Sequence, residues 1–439
     1  MQTPAVEAHS DYPEPTRAQR LHSTDCSEPI APKMTLETLH ASDHLRDVRY
    51  EIRGKLARRA EELERAGYEI TKLNIGNPGA FGFRMPETMR RAIVENLPLA
   101  EPYGHQKGIF PAREAVVMQQ QERGVMDVSA DDVFMGNGVS ELIMMCMRAL
   151  LNPGDEVLIP SPDYPLWTAS VVIHGGRAVG YPCAPERGFQ LDPDDIERRI
   201  TDRTRALVVI NPNNPTGVVY GHAALKRVAE IAEQHRLVVF SDEIYDHMLF
   251  APHQHVPMAT LARHTLCASF SGLSKVYRAC GLRVGWVSFS GERAHARPYL
   301  DALELLASLR LCSNMTGQWA VQTALGGYQS INELVGPGGR LFESRSAVIE
   351  AVAASRHLSV VPPGGAMYAF LRVNTARHPD FDDERFALEL LEKRGILVAP
   401  GSSFNVPYRD HFRITLLPDG KVLRRVIGVI DELLEELAR

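Results

Sequence analysis

Apolar residues gather in short blocks through the middle of the chain, separated by longer stretches with helical patterning. The clearest blocks are EVLIP (156–160), ALVVI (206–210), LVVF (237–240) and LCASF (266–270). Runs of this length, apolar at consecutive positions, predict strands of a parallel sheet covered by helices on both faces. Upstream, DVRYEIRGKLARRAEELERAG (47–67) has the spacing of an amphipathic helix, and ITKLNIG (70–76) reads as a short strand entering a loop. GPGGR (336–340) marks a break, after which helix-like segments alternate with LSVVPPGGAMYAFLRV (358–373), GILVAPGSSF (395–404) and DHFRITLL (410–417). That pattern predicts a smaller α+β unit over 331–439, joined by an N-terminal segment 43–75, beside a large α/β domain over 76–330. Residues 1–42, rich in Pro, Ser, Thr and His without apolar periodicity, read as a disordered N-terminal extension.

Composition narrows the classes. A net charge of −6 over 439 residues argues against a nucleic-acid footprint, and no stretch of 18 apolar residues predicts a membrane span. The six cysteines form no CxxC, HExxH is absent, and the sixteen histidines show no ligand spacing. These features predict buried thiols in a reducing cytoplasm, with neither disulfide frame nor metal site.

The polar residues that follow the apolar blocks carry the candidate chemistry. EVLIP is followed by SPDYP, ALVVI by NPNNPTG, LVVF by SDEIYD and LCASF by SGLSK. In open α/β sheets ligands collect beyond the carboxyl ends of the strands. The chain has only eight lysines, so Lys275 at one of these ends stands out. Lysine suits imine chemistry with an aldehyde. A carboxylate such as Asp242 keeps a heteroaromatic nitrogen protonated, and Tyr245 and Asn214 can hydrogen-bond a phenolic oxygen. Pyridoxal phosphate presents all three groups. Its phosphate finds a candidate seat where Gly136, Gly138 and Ser140 precede the helical stretch of FMGNGVSELIMMCMRALL (134–151), with Arg283 as a cationic clamp. Each residue alone has a plainer reading: Asp242 as a helix cap, Asn214 as a turn former, Tyr164 as packing.

Together, and in this order, the residues resemble fold-type I pyridoxal-phosphate aminotransferases, and within them the bacterial alanine (glutamate–pyruvate) transaminases. The likeness rests on SGLSKVYRACGLRVGW (271–286), DEIYD (242–246), NPNNPTG (211–217), LNIGNPGAFGF (73–83), GNGVSELI, PSPDYPLW, LRLCSN and TALGGYQSI, and runs from about residue 43 to the end. It implies a large domain with a mostly parallel seven-stranded sheet and a smaller α+β domain. It also implies Lys275 as the Schiff-base lysine, Asp242 on the pyridine nitrogen, Tyr245 and Asn214 on the ring hydroxyl, and Tyr164 stacked on the ring. Gly138, Val139, Ser140, Ser274 and Arg283 would hold the phosphate, and Tyr103 would reach the phosphate of a neighbouring subunit in a homodimer. Arg413, with Gly76 and Asn214 nearby, would grip the substrate carboxylate. Two positions depart from the family pattern: Gly272, where many relatives have serine, and Arg278, where a small residue is usual.

The implied activity is ping-pong transfer of the amino group between L-alanine/pyruvate and 2-oxoglutarate/L-glutamate, with amino acids and 2-oxo acids as the small-molecule partners. Other amino donors (aspartate, branched-chain or aromatic) and a β-lyase reaction stand as alternatives. Arg310 is a candidate for glutamate's second carboxylate or else a helix-surface arginine. The loop GAFGF (79–83) is a candidate cover for a small side chain.

Overall fold

The computed structural model describes residues 39–46, 48 and 54–438. The expected extension lies outside the described residues except for 39–42, as does Cys26. The expected helix over 47–67 runs from Lys55 to Arg65 after an N-cap at Gly54; most of 47–53 lies outside the described residues.

All four apolar blocks are strands. After a two-residue strand β1 (Thr71–Lys72), the large sheet takes β2 (Val133–Gly136), β3 (Glu156–Ser161), β4 (Arg177–Pro182), β5 (Thr204–Ile210), β6 (Val238–Asp242), β7 (Leu266–Gly272) and β8 (Gly285–Gly291). Their order is β2-β8-β7-β6-β5-β3-β4, parallel throughout except for β8, which runs against β2 and β7. Alternate residues on each strand feed two cores. Ala206, Val208, Ile210, Phe240, Ala268 and Phe270 lie in one, while Leu207, Val209, Val239 and Cys267 lie in the other. A sheet buried on both faces needs no polar alternation, which is why its strands read as continuous apolar runs.

The chain lays β4 on one side of β3 and then returns to place β5 on the other. Between the carboxyl ends of β3 and β5 the connections leave in opposite directions, so a crevice opens there. Tyr164, three residues beyond β3, and Asn214, four beyond β5, flank it.

A second, antiparallel sheet has the order β12-β13-β10-β9, from β9 (Leu358–Val360), β10 (Tyr368–Val373), β12 (Ala399–Pro400) and β13 (His411–Thr415). Phe412 and Ile414 of β13 join Leu371 in a core under the helices Arg340–Ala354 and Gly420–Leu437. The period of two then turns Arg413 to the opposite face, toward the large sheet's carboxyl end. β1 pairs in parallel with β11 (Ile396–Leu397), and Leu73 O accepts from Thr415 N at 3.0 Å, so the segment 71–76 runs along this sheet.

Ile430 is fully buried in the core between those two helices. Ile430→Ala is expected to cost about 2–5 kcal/mol, read as a lower midpoint in urea unfolding.

Candidate active site

A cleft of about 950 Å³ opens beyond the carboxyl ends of β3, β5, β6 and β7. Of the residues singled out in the sequence, Gly76, Val139, Ser140, Tyr164, Asn214, Asp242, Tyr245, Ser274, Lys275, Arg283 and Arg413 line it. Gly138 stands against Arg283 just behind the lining. Tyr103 does not line the cleft and is 80% exposed. Among the described residues no cluster of His, Cys, Asp or Glu could hold a metal ion.

β6 delivers Asp242 to the floor of the cleft. The indole Nε1–H of Trp167 donates to its Oδ2 at 3.1 Å, and the Ile244 N–H donates to Oδ1 at 3.4 Å. Trp167 is itself fixed by Phe240 and Phe270, with ring centroids 5.9 and 5.4 Å away. Burial raises the carboxyl to about 6; Glu243 adds to that, while Trp167, the Ile244 N–H and Lys275 act against it. A carboxylate held this far from water is stabilised by a cationic ring nitrogen placed against it.

Lys275, three residues beyond β7, donates from Nζ to Gly76 O at 2.7 Å. Any side chain at Gly76 would overlap the Tyr368 hydroxyl, so a glycine is needed for the backbone to approach so closely. Tyr245 donates to the hydroxyl of Tyr368 at 3.2 Å, the rings meeting edge to face. Burial pushes Tyr245 well above its usual value. Burial acts on Tyr368 the same way, but the charges of Lys275 and Arg413 outweigh it and leave Tyr368 the more acidic of the pair.

At the other end of the cleft, the helix Val139–Leu150 starts after Gly138 with no side chain capping it. Its first N–H groups and its dipole favour an anion. Gly138 has φ 83°, and a Cβ there would overlap the Arg283 guanidinium, which donates to Cys280 O at 3.0 Å and Asn137 O at 3.3 Å. The guanidinium is thus packed directly against the helix entry. Gly272 explains itself here: a Cβ would lie 2.7 Å from Val284 O, so a serine at that position would force β7 and β8 apart. Arg278 ties the lysine loop down, donating to Arg84 O (3.2 Å), Val276 O (2.7 Å) and Ser330 Oγ (2.7 Å).

Arg310 is not in the cleft lining. Its guanidinium donates to Glu141 Oε2 (2.6 Å), Met135 O (2.7 Å) and Gln106 O (3.2 Å), and Glu141 in turn accepts from Asn137 N at 2.6 Å. It braces the turn before the helix Val139–Leu150, which is neither of the roles its sequence position suggested.

Arg413, 1% exposed, donates to Asn214 Oδ1 at 2.8 Å and to the Asn74 carbonyl. Its guanidinium carbon lies 4.2 Å from the Tyr368 ring centroid and 4.7 Å from that of Phe404. Stacking of this kind suits a guanidinium better than an ammonium.

Trp167, Tyr368, Phe404 and the Asn74 carbonyl escape the sequence reading. Trp167 is one of only three tryptophans and sits in PSPDYPLW, a signal that was available. Tyr368 and Phe404 read as ordinary strand and turn aromatics, and nothing local marks them.

The residues fit pyridoxal phosphate: an amine for the aldehyde, a buried carboxylate for the ring nitrogen, hydroxyl and amide groups, and a cationic turn whose glycine a Cβ would fill. Residues 68–430 match the sequence model of the family aminotransferase class I and II. The chain is 46% identical over 383 residues to the glutamate-pyruvate aminotransferase AlaA of Escherichia coli (strain K12), spanning 87% of this chain and 95% of that one. It is 47% identical over 387 residues to the alanine aminotransferase of Mycobacterium tuberculosis (strain ATCC 25618 / H37Rv), spanning 88% and 90%. Among solved structures, an aminotransferase from Escherichia coli superposes with a TM-score of 0.90 at 44% identity, covering 92% of this chain and all of the other. An alanine aminotransferase from Pyrococcus furiosus gives 0.86 at 34% identity, covering 90% and 100%.

A raised carboxyl lowers stability once it ionises. Asp242 at about 6 in the folded protein and about 3.9 unfolded lets the folded state hold more protons between those values. Its contribution is therefore most favourable below about pH 4 and is lost as pH rises through about 6, a difference of roughly 3 kcal/mol. Asp242→Asn keeps an acceptor for Trp167 and removes the charge. The cofactor-stripped variant is expected to unfold at higher urea than the stripped parent at pH 7.5, the gap closing toward pH 4.5. Equal midpoints at pH 7.5 would contradict the desolvated carboxylate.

Proposed function

The chain belongs to the class I and II aminotransferases, with pyridoxal phosphate as cofactor, and on that premise we propose that it exchanges amino groups between L-alanine/pyruvate and 2-oxoglutarate/L-glutamate. The observation that carries the reading is a spacing. Lys275 bonds the carbonyl of Gly76 and Arg413 bonds the carbonyl of Asn74, two residues apart on the bent segment that follows β1. A cation for a carboxylate and an amine for the neighbouring carbon, held that close, match an α-amino acid. The curated relatives carry glutamate–pyruvate and alanine in their names, and Phe81, Ala80 and Ile75 narrow the cleft beside Gly76, which suits a methyl side chain.

Bound pyridoxal phosphate supplies an aldehyde that condenses with amines and a protonated ring that draws off the electron pair of a broken Cα–H bond. Arg283, Ser274 and the N–H groups of Val139 and Ser140 would hold its phosphate beside Gly138. Asp242 would keep its ring nitrogen protonated, Tyr245 and Asn214 would bond its hydroxyl, and Tyr164 would cover one face. Arg413 binds the α-carboxylate of the incoming amino acid, with its side-chain partner Asn214 and the Gly76 backbone at the same end. Lys275 Nζ would be the group that takes the proton from the substrate's Cα and gives it back, acting as base and then acid.

Glutamate brings a second carboxylate. With Arg310 engaged elsewhere, Lys72 is the remaining cation lining the cleft among the described residues, on the same segment as Asn74 and Gly76. Its ion pair with Glu64, 2.7 Å long and half-exposed, is weak enough to exchange for a substrate carboxylate. The exposure of Tyr103, outside the cleft, supports a homodimer in which it reaches the partner's phosphate. The described cysteines are free thiols, which supports a cytoplasmic location.

The visible absorption of the purified protein tests the reading. The cofactor band is expected to collapse with L-alanine or L-glutamate, to return with pyruvate or 2-oxoglutarate, and in Lys275→Ala, whose turnover falls about 10⁴-fold, to shift with either amino acid without collapsing. A band in the parent that ignores both amino acids would retain the cofactor and refute the substrates. For Lys72→Met, the KM for 2-oxoglutarate and glutamate is expected to rise about tenfold while that for alanine stays within twofold. A parallel rise for alanine would remove Lys72 from the distal site.

A further inference from the structure

Three hydrogen bonds outside the chemistry above join the loop after β3 to the turn before β13. Asp163 N donates to Phe404 O at 3.1 Å, Ser161 Oγ donates to Asn405 O at 2.8 Å, and Asn405 Nδ2 donates to Asp163 Oδ1 at 2.8 Å. The other oxygen of Asp163 accepts from Thr168 Oγ1 at 2.7 Å, and the side chain is fully buried. Asn405 holds a left-handed backbone, φ 55°, a conformation asparagine tolerates better than most residues. Its place at the end of the turn Gly401–Phe404 lets the amide reach back to Asp163.

Each half of this joint adjoins a group that faces the site. Tyr164 follows Asp163 and lines the cleft. Phe404 precedes Asn405, is fully buried, and lies under the Arg413 guanidinium. Phe370, paired with Arg413 across β10 and β13, closes on Phe404 edge to face at 5.8 Å. The joint therefore connects the side of the cleft built on the large sheet to the side built on the small one. A buried carboxylate that loses one donor is costly, so the amide of Asn405 is held firmly in place.

We infer that Asp163 and Asn405 are a positioning pair, which through Phe404 sets the place of Arg413 relative to Tyr164 and so the grip on the substrate carboxylate. This rests on the reading of Arg413 as that grip. Neither residue touches substrate; the pair acts by fixing the distance between Tyr164, on the cofactor ring, and Arg413, on the substrate carboxylate.

The test uses the holoenzyme and reads the L-alanine concentration that half-collapses the visible band, together with KM and kcat. Asn405→Asp sets two carboxylates against each other; half-saturation and KM are expected to rise tenfold or more, with kcat at saturation within threefold. The exchange D163N/N405D reverses donor and acceptor and is expected to return both to within threefold of the parent. Asn405→Gly, which keeps the left-handed backbone and deletes the amide, is expected to raise half-saturation severalfold and serves if Asn405→Asp does not fold. A joint that merely holds the fold together would lower the melting temperature and leave half-saturation alone. Half-saturation within twofold in Asn405→Gly, or an exchange variant no better than Asn405→Asp, overturns the pair. Arg413→Lys, measured alongside, separates the premises. If it weakens alanine while the Asn405 variants do not, the pair alone fails; if it too leaves alanine unchanged, the reading of Arg413 fails and the pair with it.

Discussion

A guanidinium ion at 1% exposure must find partners within the fold, and Arg413 organises the molecule around that demand. Asn214 supplies an amide oxygen from the loop after β5, and Asn74 supplies a carbonyl from the segment beside β1. Tyr368 and Phe404 supply aromatic faces. Four separate stretches of chain must converge before the charge can be buried at all. The same convergence sets Tyr368 against Tyr245, and Asn74 two residues from the carbonyl that Lys275 holds. The cost of burying one cation is thus offset by contacts that also assemble the cofactor cleft.

Asp242 answers the same problem with opposite sign. It sits on the last residue of a central strand, where the sheet's own apolar faces remove water, and Trp167 gives one oxygen a partner too weak to neutralise it. The raised carboxyl is the residual cost of that burial. The scaffold invests in this: Phe240 and Phe270, one residue from each of two adjacent strands, clamp the indole that holds the acid.

Two arginines near the site, Arg310 and Arg278, brace it and do not line it. Arg310 takes Glu141 and two carbonyls behind the turn at Gly138, and Arg278 ties down the loop that carries Lys275. Both suit arginine, whose planar fork satisfies several oxygens at once where lysine offers a single point of charge. The cations that do face the cleft among the described residues are Lys72, Lys275, Arg283 and Arg413, spread from one end to the other. That division of labour follows from geometry: Arg310 and Arg278 aim their donors at oxygens of the fold and lie outside the cleft lining.

The strands, their parallel pairing and the chemical character of their carboxyl ends were legible in the sequence because they are local. A consecutive apolar run specifies a strand buried on both faces, and the residues just past its end fall at the sheet's edge whatever the rest of the chain does. Hence Tyr164, Asn214, Asp242 and Lys275 could be read as one site before any coordinates. What the sequence could not carry are the partnerships that span the chain: Trp167 with Asp242 across 75 residues, Lys275 with Gly76 and Asn214 with Arg413 across 199, Arg413 with Asn74 across 339. Arg310 shows the limit from the other side, since a charge next to a functional motif looks the same whether it meets a ligand or a neighbouring glutamate. Only the closing of the small sheet over the large one decides that, because it fixes which buried charges find their counterparts within the fold and which are left facing the cleft.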